Sequence, residues 1–434
     1  MSDKGAGVAR RRQPGGVFFL VGLDRMKRHM PRELPNDEEV TFFAESEFRR
    51  RSQHFGIKRR DRRHHMYLVG KTGMGKSTLL RTLIRSDLGS GNGLALIDPH
   101  GDLASEVLGL IPESRQKEVI AFDPAAAGGI GMITYDPLDV RDPGRRHLAA
   151  AGLVGAFRKI WADSWGPRME YIFYNTLRAL LDFPGAGLPD VPRLLTDAAY
   201  RGVVLRYVQD PRVLDFWLKE FAAYPPHFRA EAIAPIQNKI GQFLASPAVR
   251  QVLQPNKRKL ELRRVMDEGR ILVANLSKGK LGEATSALLG ALLVAGLEVA
   301  ALGRADLPEP ERRDFYLYID EFQTFATQSF AGILQEARKY HLNLIVAHQY
   351  LGQLEDQVRE AVFGNIGTII AFRVGAEDAQ CLAREFFPVF DEEDFVNLPP
   401  HHIYLRLMID GVMSRPFSAR TYIEDVHASN ERAA

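Results

Sequence analysis

Cysteine is almost absent from this chain of 434 residues, which contains a single one, Cys381. One cysteine excludes an internal disulfide framework and is typical of a protein in a reducing compartment, so we expect a cytoplasmic location. We interpret Cys381 itself as a small buried apolar residue, because free cysteines mostly fill space in protein cores.

Long apolar runs are also lacking. Residues 17–23 form a short one, and residues 287–302 form a longer one that is interrupted by Glu298. Both fall short of the roughly 20 apolar residues that a membrane span requires. We therefore expect no transmembrane helix and interpret residues 287–302 as a helix buried in the core. The start of the chain also lacks the apolar run and cleavage site of a secretory signal.

Positive charge is distributed unevenly. The net charge is +3, yet residues 1–65 alone carry 16 Lys/Arg against 9 Asp/Glu, and the densest basic run is residues 58–63. Such a run forms either a solvated face or a surface that binds a polyanion, and composition does not decide between the two.

Most of the chain follows an alternation of short apolar runs and helical patterns. The runs are residues 66–70, 94–98, 119–123, 270–276, 315–320, 344–349, 368–374 and 403–409. They are mostly continuous rather than alternating, which favours strands covered on both faces. Helical patterns between them predict an α/β fold with a mostly parallel central sheet.

Two parts of the chain break this alternation. Residues 1–40 are rich in glycine, proline and charge, which indicates a flexible basic arm. Between residues 139 and 270 the apolar spacing is helical throughout. We therefore predict that an all-α domain at 146–258 is inserted between two parts of the α/β domain, at 41–145 and 259–425. A short tail follows at 426–434, and we find no internal repeat.

The segment GKTGMGKS, residues 70–77, fits the phosphate-loop pattern GxxxxGK[ST] at every fixed position. Its glycines allow backbone N–H groups to surround a phosphate, and the helix that follows adds partial positive charge. Lys76 would reach the β- and γ-phosphates, and the Ser77 hydroxyl would bind Mg²⁺. The predicted nucleotide-binding residues are Gly70, Lys71, Thr72, Gly73, Met74, Gly75, Lys76, Ser77 and Thr78.

An acidic pair follows the apolar run 315–319. In a phosphate-loop ATPase, Asp320 would hold the Mg²⁺ through water and Glu321 would polarise the attacking water. On its own such a pair also fits a helix cap, but together with the phosphate loop it indicates catalysis.

Two further polar residues end apolar runs. Gln349 is placed to sense the γ-phosphate or orient water, with a surface loop as the alternative. For Asp98 we favour an acid of the nucleotide site. A plain turn is the alternative, and a metal site with His100 and Asp102 lacks further supporting ligands.

Two arginines are candidates for an arginine finger, which reaches a neighbouring subunit's γ-phosphate and stabilises charge in the transition state. They are Arg338 and Arg373. Arg338 also fits a cation that complements the end of a helix dipole, and sequence does not separate these roles.

Together these segments resemble the HerA/FtsK superfamily of DNA-pumping ATPases, and most of all the coupling proteins of type IV secretion, the TraG/TraD kind. The resemblance covers residues 40–420 approximately. It rests on the following segments, of which the first and last are the most specific: FGIKRRDRRHHMYLVGKTGMGKSTLL, LIDPHGDL, WGPRMEYIFYNTLRALLD, ILVANLSKGKLG, YIDEFQTF and ILQEARKYHLNLIVAHQYLGQL.

The resemblance implies a RecA-like P-loop NTPase that carries the all-α domain as an insert. ATP and Mg²⁺ would bind between the subunits of a homohexamer, and DNA would be threaded through its centre. Lys76 and Ser77 match the family's Walker A positions, and Asp320 and Glu321 match its Walker B positions. Gln349 matches the glutamine after the next strand, Arg338 a proposed arginine finger, and Asp98 an acidic position of open role.

The chain departs from membrane-bound coupling proteins in having no transmembrane helix at its start. The leading expectation is a DNA translocase of conjugative transfer, with the relaxase and membrane secretion-channel proteins as partners that recruit it to the inner face of the membrane. The alternatives are an ATPase that powers protein secretion or assembly without DNA, and a nucleotide-gated binding scaffold. The intact Glu321 disfavours the scaffold, which needs no water-activating carboxylate.

Overall fold

The computed structural model describes residues 36–48, 51–126, 133–253, 258–328 and 330–422. The arm predicted for residues 1–40 lies almost entirely outside this range, and the tail predicted for 426–434 lies wholly outside it. The limits predicted for the domains stay a prediction.

The described residues form thirteen strands. They are β1 (Val40–Phe48), β2 (Arg51–Lys58), β3 (Met66–Val69), β4 (Gly93–Asp98), β5 (Val119–Phe122), β6 (Ile271–Asn275), β7 (Phe315–Ile319), β8 (Leu342–His348), β9 (Thr368–Ala371), β10 (His402–Arg406), β11 (Met408–Ile409), β12 (Val412–Met413) and β13 (Phe417–Thr421).

The same part of the chain forms seventeen α-helices. They are α1 (Arg59–Arg62), α2 (Lys76–Gly89), α3 (Asp102–Leu110), α4 (Arg146–Ile160), α5 (Pro167–Asp182), α6 (Val191–Thr196), α7 (Ala198–Val204), α8 (Pro211–Asp215), α9 (Pro226–Ala245), α10 (Pro247–Val252), α11 (Leu262–Glu268), α12 (Lys278–Leu281), α13 (Glu283–Gly303), α14 (Phe330–Glu336), α15 (Asp356–Asn365), α16 (Ala376–Glu385) and α17 (Glu392–Asn397).

One large sheet organises the molecule. Eleven of the described strands form it in the order β2-β1-β13-β10-β9-β3-β8-β7-β4-β6-β5. The strands from β9 to β5 in this order are parallel, and the strands from β10 to β2 continue the sheet in antiparallel fashion. The predicted α/β fold with a mostly parallel sheet is therefore confirmed.

The central strands are buried on both faces, as their continuous apolar runs predict. Every residue of β3, β4, β7, β8 and β9 is buried. Successive side chains point to opposite faces of a strand. In β4, Leu94 and Leu96 accordingly pack with α2 and α3 on one face, while Ala95 and Ile97 belong to the core on the other face. That second core continues into the helices between β5 and β6 and into α13.

Helix α13 is the core helix predicted for residues 287–302. Among the described helices it alone has the length and composition to cross a membrane, and 72% of its most apolar stretch is buried inside the protein. Burial and the nearby Glu336 raise the pKa of Glu298 to about 8. This carboxyl group is therefore largely protonated at neutral pH, which suits its apolar helix.

The basic run at residues 58–63 is not a uniformly solvated face, since Arg59 and Arg62 are buried, and the binding of a polyanion there stays a prediction. The basic side chains of the run are bound in ion pairs to acidic residues from other parts of the chain. Arg62 is buried against Asp87, and Arg63 bonds Asp314 at 2.9 Å. The remaining pairs are Lys58–Glu38, Lys58–Asp410, Arg59–Glu39, Arg60–Glu38, Arg60–Asp410 and Arg63–Asp37. The run fixes α1 in place, and its charge is neutralised within the chain.

The single cysteine is less buried than the sequence predicts. Cys381 is half-buried rather than buried, and it packs against the core from α16. Desolvation raises the pKa of its thiol, so the group behaves as the apolar side chain that the composition indicates.

Candidate active site

The predicted site residues gather at one edge of the sheet because they follow neighbouring parallel strands. Strands β3, β8, β7 and β4 are adjacent, and their carboxyl ends lead respectively into the phosphate loop, Gln349, the Asp320–Glu321 pair and the turn after Asp98. The carboxyl edge of a parallel sheet is where such folds bind ligands.

The phosphate loop depends on glycine at particular positions. Gly73 and Gly75 have φ angles of 77° and 114°, a region that favours residues without a Cβ atom. A Cβ on Gly70 would lie 2.5 Å from the Cβ of Phe372. Gly75 precedes α2 without any side-chain cap, so the first N–H groups of this helix are free to bind an anion.

Neighbouring segments hold the loop from outside. The N–H of Lys71 donates to the carbonyl of Arg373 at 2.8 Å, and the N–H of His401 donates to the carbonyl of Met74 at 2.9 Å. The loop is thus anchored to the segment after β9 and to the residue before β10.

Lys76 lies inside the loop. Its ammonium group donates to the carbonyls of Gly70 at 2.5 Å and Lys71 at 3.2 Å. Burial lowers the pKa of Lys76, and the carboxylates of Glu321 and Asp320 oppose that shift. The residue is a buried cation whose partners are loop carbonyls, an arrangement that a phosphate oxygen can replace.

Ser77 and Asp320 face each other as ligands of a Mg²⁺ ion would. The Ser77 hydroxyl donates to Asp320 Oδ2 at 3.4 Å. Burial raises the pKa of Asp320 to about 6, and Glu321 and Asp98 contribute to the shift. A divalent cation would relieve this crowding of carboxylates, so the residues fit Mg²⁺.

The protein does not supply a complete metal site at this edge. Across the described ranges no group of three or more His, Cys, Asp or Glu residues is arranged to hold a metal ion. The metal-site interpretation of Asp98, His100 and Asp102 therefore has no support. A Mg²⁺ ion at Ser77 and Asp320 would take its other ligands from phosphate and water, as this ion does in nucleotide sites.

Glu321 has an unusual backbone conformation. Its φ and ψ are 48° and 50°, in the left-handed region that few residues other than glycine adopt. Its carboxylate accepts hydrogen bonds from the amide of Gln349 at 2.8 Å and the amide of Gln323 at 2.6 Å. The structure therefore brings Gln349 onto the carboxylate of Glu321.

Gln323 was not among the predicted site residues. Its position two residues after Glu321 in the segment DEFQ is the only sequence feature that points to it. Residues 322–324 form a 3₁₀ turn, and this turn folds the glutamine back onto the carboxylate. Strand spacing alone gives no indication of such a contact.

Asp98 is engaged by the turn that follows it. It is fully buried, one carboxylate oxygen accepts from the N–H of His100 at 2.8 Å, and the other accepts from the N–H of Ala104 at 2.9 Å. These contacts favour the plain-turn interpretation over a direct nucleotide contact. Asp98 still acts on the site through its charge, which raises the pKa of Asp320.

The two candidate arginines lie at opposite edges of the sheet. Arg373 follows β9 at the edge of the phosphate loop and is half-buried. Arg338 precedes β8 and is exposed. Because β8 contains seven residues, roughly 20 Å separates Arg338 from the nucleotide edge of its own chain. Within the described residues its side chain makes no hydrogen bond or ion pair.

Comparison with known proteins agrees with this site. The family model described as "Helicase HerA, central domain" matches residues 57–142, which include the phosphate loop. The type 4 coupling protein DotL of Legionella pneumophila is 22% identical over 423 residues, covering 80% of this chain and 53% of DotL. The chain thus spans about half the length of that relative.

Solved structures share the fold. The plasmid coupling protein TrwB in complex with the ATP analogue ADPNP has a TM-score of 0.62 at 18% identity, covering 92% of this chain and 91% of that one. TrwB in complex with ADP and Mg²⁺ gives 0.61 at 18% identity, covering 85% and 88%. VirB4 of Thermoanaerobacter pseudethanolicus gives 0.55 at 13% identity, covering 91% and 99%. Residues 57–142 are therefore similar to the central domain of HerA, and the chain as a whole shares the fold of the type IV coupling protein TrwB.

Proposed function

We propose that this chain is an ATP-hydrolysing DNA translocase of the type IV coupling-protein kind, which works as a homohexamer in conjugative transfer. The observation that carries this proposal is the meeting of Lys76, Ser77, Asp320, Glu321 and Gln349 at one sheet edge in the fold of TrwB. TrwB binds an ATP analogue in one solved structure and ADP with Mg²⁺ in another.

Each residue has a defined task in hydrolysis. Lys76 exchanges its loop carbonyls for β- and γ-phosphate oxygens, while Ser77 and, through water, Asp320 would hold Mg²⁺. When bound, this ion would supply positive charge to the phosphates. Glu321 orients the attacking water and accepts its proton, and Gln349 and Gln323 hold that carboxylate in position.

Arg338 completes the site of a neighbouring subunit. Its distance from the nucleotide edge of its own chain excludes a contact in cis, whereas its exposed guanidinium is available to a second copy. Placed near the neighbour's γ-phosphate, it stabilises the charge that develops in the transition state. Arg373 lies at the nucleotide edge and is the alternative finger.

The substrate is DNA or a relaxase–DNA complex. A motor that grips the phosphate backbone shows little sequence preference, and its affinity falls steeply as salt rises. Membrane secretion-channel proteins would recruit the ring to the inner face of the membrane. The helices between β5 and β6 would help recognise the relaxase–DNA substrate.

The test is the ATPase rate of the purified chain with no DNA, with single-stranded DNA and with double-stranded DNA of one length. We expect DNA to raise the rate. We also expect Glu321→Gln to lower it about a hundredfold or more while ATP still binds, since this exchange removes the carboxylate that activates water.

The outcomes separate the candidate functions. Glu321-dependent hydrolysis that does not respond to either DNA would contradict the translocase and favour an ATPase for protein secretion or assembly. ATP binding without any hydrolysis, with or without DNA, would contradict the enzyme and favour a nucleotide-gated scaffold.

A further inference from the structure

The hairpin of β11 and β12 exposes two β-branched apolar side chains. Ile409 is 47% exposed and Val412 is 69% exposed. They are direct cross-strand partners, so their side chains lie beside each other. A single exposed apolar residue needs no explanation, but an adjacent pair on a projecting hairpin indicates a contact surface.

The hairpin is held rigidly, which a contact surface requires. Its turn residues, Asp410 and Gly411, have φ angles of 52° and 79°, as in a tight two-residue turn. Their N–H groups donate to the two oxygens of Asp61, each at 2.9 Å. The Asp410 carboxylate also pairs with Lys58 and Arg60. These contacts keep the apolar pair in one position, so little conformational freedom is lost on binding.

The hairpin lies at the same edge of the sheet as Arg338. Strand β10 runs antiparallel to β9 and ends beside the start of β9, so the hairpin that follows lies opposite the nucleotide edge. A cavity of about 690 Å³ joins the two features, since its walls include Asp410 and Gly411 as well as Arg338, Lys339 and His64.

We propose that this hairpin is a docking element between subunits, and that a second copy of this chain covers Ile409 and Val412. The inference rests on the proposed function, in which Arg338 acts on a neighbour's nucleotide. A copy that brings its phosphates to Arg338 must approach the cavity that Arg338 and the hairpin turn share. The covered partner surface is then the nucleotide edge, which makes the contact head-to-tail, as in a ring.

The chemistry of the hairpin favours a protein surface over DNA. Ile409 and Val412 offer no donor to a phosphate, and the turn between them carries the carboxylate of Asp410. Nucleic-acid surfaces need unpaired cations, whereas Lys58 and Arg60 beside the turn are paired with Asp410 and Glu38. The exposed Arg338 on the wall of the shared cavity is the cation assigned to the neighbour's nucleotide, and the apolar pair itself offers nothing to a phosphate backbone.

The experiment uses the full chain carrying Glu321→Gln, with ATP present, so that each subunit keeps its nucleotide. The double variant Ile409→Thr/Val412→Thr retains the β-branched shape and strand propensity while adding hydroxyls. The matched control is Val203→Thr, the same exchange at a 44% exposed position of α7. Sedimentation velocity across a range of protein concentrations gives the assembly constant. Binding of a fluorescent ATP analogue and thermal unfolding are measured on dilute protein.

We expect the double variant to require about tenfold or more protein to assemble, as apolar anchors of an interface do, while nucleotide affinity and unfolding temperature match those of the control. Assembly at the parent's concentration, or equal weakening by Val203→Thr, would overturn the inference. A parent that binds ATP but never assembles would overturn the inference together with the homohexamer of the proposed function. Assembly combined with hydrolysis that does not respond to DNA would contradict only the translocase, and the hairpin's effect on assembly is independent of that result.

Discussion

At the scale of single residues, the site depends on a strained glutamate. Glu321 adopts a left-handed conformation, which costs about 1–3 kcal/mol for a residue other than glycine. The backbone N–H of Glu321 also donates a hydrogen bond to the Asp320 carboxylate at 3.0 Å. This backbone turns the side chain toward Gln349 and Gln323, so the strained conformation fixes the direction of the carboxylate to which we assign water activation.

We predict that Gln323→Ala lowers the turnover number about tenfold and leaves ATP affinity nearly unchanged. The amide of Gln323 holds one oxygen of Glu321 at 2.6 Å, and its loss frees a carboxylate that must be aimed to activate water. Steady-state kinetics and equilibrium nucleotide binding measure the two quantities separately.

A double-mutant cycle controls this prediction. In the Glu321→Gln background, Gln323→Ala should have little further effect on the residual rate, because the aimed carboxylate is already absent. A tenfold further loss in that background would show that Gln323 acts on its own, and the positioning role would be wrong.

Single residues also show which parts of the site could be predicted from the sequence and which could not. The phosphate loop and the Asp320–Glu321 pair were predictable because their spacing along the chain is itself the signal. The contacts of Asp98 and Gln323 were not, since a turn that folds a side chain onto its neighbour leaves no periodic pattern. The ion pairs of the basic run at 58–63 could not be predicted, because its acidic partners lie far away in sequence.

At the scale of elements, the short helix α1 connects distant parts of the motor. Arg62 donates to both oxygens of Asp87 near the end of α2, and to the hydroxyl of Tyr318 in β7. Asp61, its neighbour, holds the β11–β12 hairpin. Tyr318 precedes Asp320 by two residues, so α1 links the hairpin edge to both the Walker A helix and the Walker B strand.

We predict that Arg62→Met lowers the free energy of unfolding by about 3–5 kcal/mol, because it leaves the buried carboxylate of Asp87 without its cation. The double variant Arg62→Met/Asp87→Leu should recover most of this loss, since it removes both buried charges. Urea unfolding followed by circular dichroism measures both.

The matched control is Arg60→Met, two residues before Arg62 in the same helix, whose partners Glu38 and Asp410 are exposed. We expect little change there, since exposed ion pairs contribute little. Equal destabilisation by Arg60→Met and Arg62→Met would contradict the assignment of Arg62 as the buried anchor of α1.

Elements were predictable to the extent that burial imposes a pattern. The strands from β3 to β10 coincide with apolar runs found in the sequence. For β3, β4, β7, β8 and β9 the reason is that a central parallel strand is covered on both faces. The strands β1, β2 and β13 were missed. They lie in the antiparallel part of the sheet, where polar and charged residues alternate with apolar ones and the strand pattern is weaker.

At the scale of the whole molecule, the residues assigned to the proposed site lie at two opposite edges of one sheet. The nucleotide edge carries Lys76 and Glu321, and the opposite edge carries Arg338 and the β11–β12 hairpin. Because a sheet seven residues deep separates them, the two sets of residues cannot meet within one chain. In the proposed head-to-tail ring, each nucleotide edge would meet the next chain's Arg338.

We predict that mixing two inactive variants restores hydrolysis. Arg338→Ala retains a complete nucleotide edge, and Lys76→Ala retains the arginine, so a mixed ring contains some interfaces with both. Random assembly of equal amounts gives about a quarter of the wild-type sites, since each interface requires one particular variant on each side. ATPase rates measured across mixing ratios, after exchange of subunits, should therefore rise to a maximum near equal amounts.

An arginine that acted within its own chain would leave every mixture as inactive as its components, because no chain would then hold both groups. Mixing Lys76→Ala with Glu321→Gln is the control, since both substitutions affect the same edge and no interface can combine them into a working site.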